Sequence, residues 1–176
     1  MERTIRVNGK GKLAVRPDTV RLRLGMEGMH DEYQSALQAS SMMTEDLKKL
    51  IEHQGFCRND LKTISFQIDA EYESYQDKKD KRWKRRFCGY KFEHRMKLEF
   101  PNDNDKLGRL LYALAHSNAH PEIAIEYTVA DPEAAKGELL KKAVQDSKAK
   151  ANVLTSAAGV QLGCIRSIDY SWGQIE

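Results

Sequence analysis

The sequence predicts an α+β fold: a two-layer sandwich in which three helices pack a mainly antiparallel sheet, in the order ββαββαβαβ. Three observations carry this. The strand-like segments alternate apolar and charged residues, so one sheet face is buried and the other is polar, whereas doubly wound parallel sheets have continuously apolar strands. Segments of helical period lie between them. The two longest alternating segments are neighbours within Leu61 to Phe100 and form a long central β-hairpin.

The first strand is expected at Thr4 to Lys12, where Ile5 and Val7 alternate before Gly9 and Gly11. Glycine in a strand pattern marks a bulge or a close backbone approach. The Gly-Lys-Gly-Lys run lacks the spacing of a phosphate loop and opens no helix. Arg16-Pro17-Asp18 is a turn, and Val20, Leu22, Leu24 and Met26 give a second strand. Asp31 is the expected N-cap of a helix ending near Gln54, with Gly55 after it. Tyr33, Ala36, Leu37, Ser40, Met43, Leu47, Leu50 and Ile51 share one face of that helix, and Met42 and Met43 read as core filler.

In the central hairpin, Ile64, Phe66, Ile68, Ala70 and Tyr72 face one way in the first strand. Tyr90, Phe92, His94, Met96, Leu98 and Phe100 do so in the second. A basic loop, 76–87, joins them. Pro101 to Asn104 supplies turn and cap residues for a helix carrying Leu107, Leu110, Leu111 and Leu114. Ile123, Ile125, Tyr127 and Val129 form another strand. Asp131, Pro132 and Glu133 then start a third helix with an N-cap, a proline at its first position and an acid near the positive end of its dipole. It runs to about Ala158 and carries Leu140, Ala143, Val144, Ser147, Ala151, Leu154 and Ala158 as its inner stripe. Ile165, Ile168, Tyr170 and Trp172 suggest a last strand with imperfect alternation.

The 176 residues are organised as a single domain, 1–176, long enough to bury a core. With 40% hydrophobic and 31% charged residues the chain is globular rather than disordered. No apolar run is long enough to span a membrane, and no apolar leader opens the chain. A cytoplasmic setting is expected for the chain as given, and an exported one if a leader has been trimmed. Cys57, Cys88 and Cys164 are dispersed and odd in number, which suits a reducing compartment.

The net charge is +3, yet Asp77 to Arg86 alone holds seven Lys/Arg against two Asp, so the rest of the chain sums to −2. Lys78, Lys79, Lys81, Arg82, Trp83, Lys84, Arg85 and Arg86 are therefore the candidate binding residues. A basic run with one aromatic holds phosphates and stacks a base, or lies on an anionic membrane surface. The plainer explanation is a hairpin tip kept soluble by charge. His94 sits on an apolar strand face, where a histidine is ordinarily a hydrogen-bonded core residue; a converging carboxylate or cysteine would make it catalytic. Cys88 lies beside Arg85 and Arg86, cations that favour a thiolate. His116 and His120 are four apart, but Pro121 and a missing third ligand argue against zinc. Asp69, Glu71, Glu73, Glu93 and Glu99 read as a solvated face with cross-strand ion pairs. No cofactor, metal or catalytic site is expected.

Several segments together resemble the SIMPL-domain family. They are Ile5-x-Val7-x-Gly9-x-Gly11 with Val15-Arg16-Pro17-Asp18; Leu50 and Phe56 followed by Asp60-Leu61-Lys62-Thr63; and Gly89-Tyr90. Ala143-Val144-x-Asp146-x-Lys148-x-Lys150-Ala151, leading to Ala158-Gly159-Val160-x-Leu162-Gly163, completes the set. The resemblance implies an α+β domain that tends to assemble. Members include a periplasmic immunogenic protein forming ring- or channel-like oligomers and one linked to oxidative-stress defence, and no catalytic residues are established among them. Members commonly carry an export signal and one further strand after the segment matching Ser167-Ile168-Asp169, so the resemblance implies either that a C-terminal strand is missing here or that a sheet edge is left open for a partner.

The functional expectation is a non-enzymatic, self-assembling SIMPL-like domain, stress- or envelope-related, with a homo-oligomer as its partner state. Its rivals are a polyanion-binding module using residues 78–86, with a weak nonspecific anionic partner, and a small enzyme built around His94 or Cys88.

Overall fold

In the computed structural model, which describes residues 4–76 and 82–171, the alternating segments form one antiparallel sheet. Strands β1 (Thr19–His30), β2 (Lys62–Gln76), β3 (Trp83–Pro101) and β4 (Glu122–Thr128) lie in the order β2-β3-β1-β4. Helix α1 (Tyr33–His53) and a 3-10 turn at Arg58–Asp60 lead from β1 to β2, and α2 (Asn104–Ala115) leads from β3 to β4. This is the split βαβ, or ferredoxin-like, arrangement. Helix α3 (Pro132–Ala157) follows. The chain divides into two compact units, Arg16–Ala130 and Met1–Val15 with Asp131–Glu176. Among the described residues no helix is long and apolar enough to cross a membrane.

In the larger unit, alternation does what the pleat requires. Val20, Leu22, Leu24 and Met26 of β1 stand opposite Phe100, Leu98, Met96 and His94 of β3, and all are buried. Helix α1 covers them with Ala36, Leu47 and Ile51, and α2 with Leu107, Leu110 and Leu114. The α1 N-cap is Glu32, one residue later than expected, and Asp103 caps α2 by accepting the Lys106 N–H at 2.9 Å. Of the predicted α1 stripe, Tyr33 and Leu37 are exposed.

The other face is the expected ion-paired one. Arg21 stands between Glu99 and Glu126, at 2.6 and 3.7 Å. Glu27 and Glu93 are directly opposite each other, a repulsive placement relieved by Lys91, whose Nζ lies 2.7 Å from one and 3.2 Å from the other. Those hydrogen bonds raise the Lys91 pKa, and the Arg21 hydrogen bond lowers that of Glu99.

In the smaller unit, α3 starts as predicted: Asp131 accepts the Ala134 N–H at 2.9 Å and Pro132 follows it. Two other expectations are corrected. Thr4 to Lys12 forms no strand. Part of its backbone bonds instead to α3 side chains, with Lys10 N–H donating to Asp146 at 2.7 Å and Lys150 donating to the Asn8 carbonyl at 3.1 Å. Gly9 permits this close approach, since a β-carbon there would lie 2.8 Å from Ser147 Cβ. Ile165 to Tyr170 is likewise not a strand, and its three large apolar side chains are exposed. Irregular alternation leaves that segment no single face to bury. Trp172 lies outside the described residues.

The basic loop also needs correction. Trp83 to Phe87 belongs to β3 and pairs with Gln76 to Tyr72 of β2, so the hairpin is longer than its apolar alternation indicated. Charged residues occupy both faces there, and a strand beyond the core carries no hydrophobic period to reveal it.

Candidate functional site

Two places in the larger unit gather chemically capable side chains: the surroundings of His94, and the outer part of the β2–β3 hairpin. His94 projects from β3 beneath α1 and is 8% exposed. Its Nδ1 lies 3.1 Å from Thr44 Oγ1 and 3.3 Å from Ser40 Oγ, and its Nε2 lies 2.9 Å from Thr63 Oγ1. The Thr44 hydroxyl donates to the Ser40 carbonyl at 2.8 Å, so toward His94 it is an acceptor. That assigns the proton to Nδ1 and leaves Nε2 to accept from Thr63. Burial, and then the Lys48 charge, lower the His94 pKa and favour the neutral ring. Phe66 packs edge-on against the imidazole at 5.2 Å.

None of these hydroxyl partners was legible from the sequence. A register shift between Thr63 and Ser65 turns Thr63 toward His94 and takes Ile64, 52% exposed, out of the row that Phe66, Ile68 and Ala70 continue. A bulge of this kind has no reliable signature without glycine.

The outer hairpin is where the structure describes part of the predicted basic run. Lys78, Lys79 and Lys81 lie outside the described residues. Arg82 precedes β3, and Trp83 begins it, 73% exposed. Lys84 stands opposite Tyr75, Arg85 opposite Ser74, and Arg86 opposite Glu73. Arg86 donates to Glu73 at 2.7 Å, and that bond raises its pKa. The Arg85 guanidinium lies 4.7 Å over the Tyr72 ring. Tyr72 touches Phe87 at 5.7 Å, Phe87 touches Tyr90 at 5.2 Å, and Tyr90 meets Tyr33, the first residue of α1, at 5.6 Å. The helix-side face of the sheet thus continues past the start of α1 as a row of aromatic rings with Arg85 upon it.

Cys88 sits unpaired at a second register shift, between Glu71 and Tyr72 on the partner strand, and its thiol points to the Arg86 carbonyl at 3.6 Å. Gly89 beside it has φ +133°, and a β-carbon there would lie 2.7 Å from the His30 carbonyl oxygen. His116 contacts the Tyr112 carbonyl at 2.8 Å, and His120 has φ 37° in the turn after α2. Among the described residues no three His, Cys, Asp or Glu side chains converge as metal ligands would.

The SIMPL family, described as proteins of unknown function (DUF541), matches residues 5–175. The chain belongs to the SIMPL family. No curated protein matches it. Among solved structures, B. subtilis GlnK is similar over 62% of this SIMPL chain and 84% of its own, at 10% identity and TM-score 0.33. An unknown protein from Galdieria sulphuraria is similar over 67% of this chain and 54% of its own, at 16% identity and TM-score 0.33. CutA from Synechococcus elongatus is similar over 73% and 93%, at 16% identity and TM-score 0.24.

Proposed function

We propose that this SIMPL domain acts by assembling with copies of itself, without catalysing a reaction, and that the β2–β3 hairpin is the meeting surface. The observation carrying this is the exposure of β2. It is an edge strand from Lys62 to Gln76, yet Ile64, Phe66, Tyr72 and Tyr75 are each 41–52% exposed. A long edge bearing apolar side chains is a template for pairing with another chain. The surroundings of His94 support the non-enzymatic part, because its hydrogen-bond partners are hydroxyls already engaged with backbone or ring. Light scattering at low and high micromolar concentration tests the proposal: a mass that rises with concentration, or a stable multiple, is expected. A monomer mass at high micromolar concentration overturns it.

A second role has its own observation. Trp83 is the most exposed large apolar side chain of the described residues, and it lies on the strand that also presents Arg85 and Arg86. An aromatic beside cations suits a polyanion, through phosphate contacts and base stacking. Salt-sensitive retention on heparin is the expected result, and retention unchanged by salt counts against it.

A further inference from the structure

From Ser65 to Glu71, β2 is complementary to itself when reversed. Phe66, Ile68 and Ala70 stand opposite His94, Phe92 and Tyr90 on the helix-covered face, and Ser65, Gln67, Asp69 and Glu71 stand opposite Arg95, Glu93, Lys91 and Gly89 on the charged face. Only β3 pairs with β2 among the described strands, so the second edge of β2 carries no strand.

We propose that two copies of the chain join by antiparallel pairing of their β2 edges about a two-fold axis at Ile68. The proposal rests on the self-assembly described above and specifies its contact. A two-fold interface makes each contact twice. With the axis at Ile68, that residue faces its own copy, Phe66 faces Ala70, Gln67 faces Asp69, and Ser65 faces Glu71. On one face every apolar side chain meets an apolar one, a large ring beside a small methyl. On the other, each acid meets a neutral hydrogen-bond donor. Gln67 already donates to Asp69 of its own chain at 2.6 Å. An amide has two N–H groups, so the second remains for the partner's Asp69.

Other registers are worse for stated reasons. An axis falling between residues sets apolar positions against charged ones. Moved one residue toward the C-terminus, it sets Asp69 against itself; moved two, it sets Asp69 against Glu71 twice. Like charges directly opposite are destabilising. Moved toward the N-terminus, the matched stretch shortens, because the register shift between Thr63 and Ser65 interrupts the strand. The opposite sheet edge, β4, carries Glu122 and Glu126 and no cation, so it offers the acids of β2 no complement.

The test uses the full chain. Gln67 and Asp69 are both exposed, so changing them leaves the core intact. Gln67→Asp sets acid against acid twice per dimer and is expected to weaken self-association about tenfold. Adding Asp69→Gln restores an acid–amide pair and is expected to recover it. In a chain with Cys57→Ser, Cys88→Ser and Cys164→Ser, Ile68→Cys is expected to cross-link to its own copy on mild oxidation. Phe66→Cys is expected not to, because its copy lies four residues along, about 13 Å away. Self-association that ignores Gln67→Asp, with no Ile68→Cys cross-link, overturns this contact and leaves assembly by another surface standing. A mixed cross-link between Ile68→Cys and Ile125→Cys chains overturns it in favour of head-to-tail edge pairing. A monomer under all conditions overturns both proposals.

Discussion

Thr63 Oγ1 lies 2.9 Å from His94 Nε2, so a hydroxyl of the edge strand closes the hydrogen bonding of a buried imidazole on the neighbouring strand. The ring is satisfied as a neutral group, and its pKa is lowered by burial and by Lys48. The unfolded chain therefore binds a proton near pH 6.5 that the folded chain refuses until lower pH. The stability due to neutral His94 is fully present above about pH 6.5 and is lost as pH falls from there toward the folded value. Thermal melts between pH 5 and 8 are expected to show that decline, and His94→Gln to flatten it. An unchanged slope in the variant assigns the decline to another group.

Core and arm respond differently to truncation. Phe92 is fully buried, and Phe92→Ala is expected to cost about 3–5 kcal/mol. Trp83 is 73% exposed, and Trp83→Ala is expected to change stability by no more than about 0.5 kcal/mol. Urea denaturation of the two variants gives the comparison; equal losses would show Trp83 to be packed.

Gly89→Ala combines a φ of +133° with a β-carbon 2.7 Å from the His30 carbonyl oxygen. A loss of about 1–3 kcal/mol is expected, measured by denaturant midpoint. A midpoint at the wild-type value would mean that the strand crossing relaxes freely there.

Polyanion binding, where it occurs, is expected to follow counterion release, with a log–log salt slope of about −0.7 to −0.9 per phosphate contact. Changing Lys84, Arg85 and Arg86 to Ser is expected to weaken heparin and single-stranded DNA alike, read by fluorescence titration. Selectivity for one nucleotide sequence would require an array of base-edge donors instead.

The alternation of β1 and inner β3 was legible because every second residue meets helix, and the α3 cap was legible from Asp131, whereas for α2 only the capping stretch Pro101 to Asn104 was. The hairpin beyond Tyr90 was not, since neither face of Trp83 to Arg86 is buried and no period records its pairing. Ile64 misled for a different reason: the register shift beside it turned Thr63 inward, and only the fold brings Thr63 and His94 together. Ile5 and Val7 alternate like strand residues, yet the backbone around them found its partners on α3.

Strand β1 lies between β3 and β4, and both are made after it. Its earliest pairing, His30 with Tyr90, becomes available only once α1 and β2 have been synthesised, and its second ladder starts with Glu122 opposite Gly25 and is complete only at Thr128. On the ribosome, then, Val20, Leu22, Leu24 and Met26 emerge with only α1 close behind to cover them, long before α2 and their partner strands exist. Such non-local closure is slow and leaves apolar surface open to aggregation meanwhile. A nascent chain arrested short of Tyr90 leaves the central strand with α1 upon it and no strand on either side.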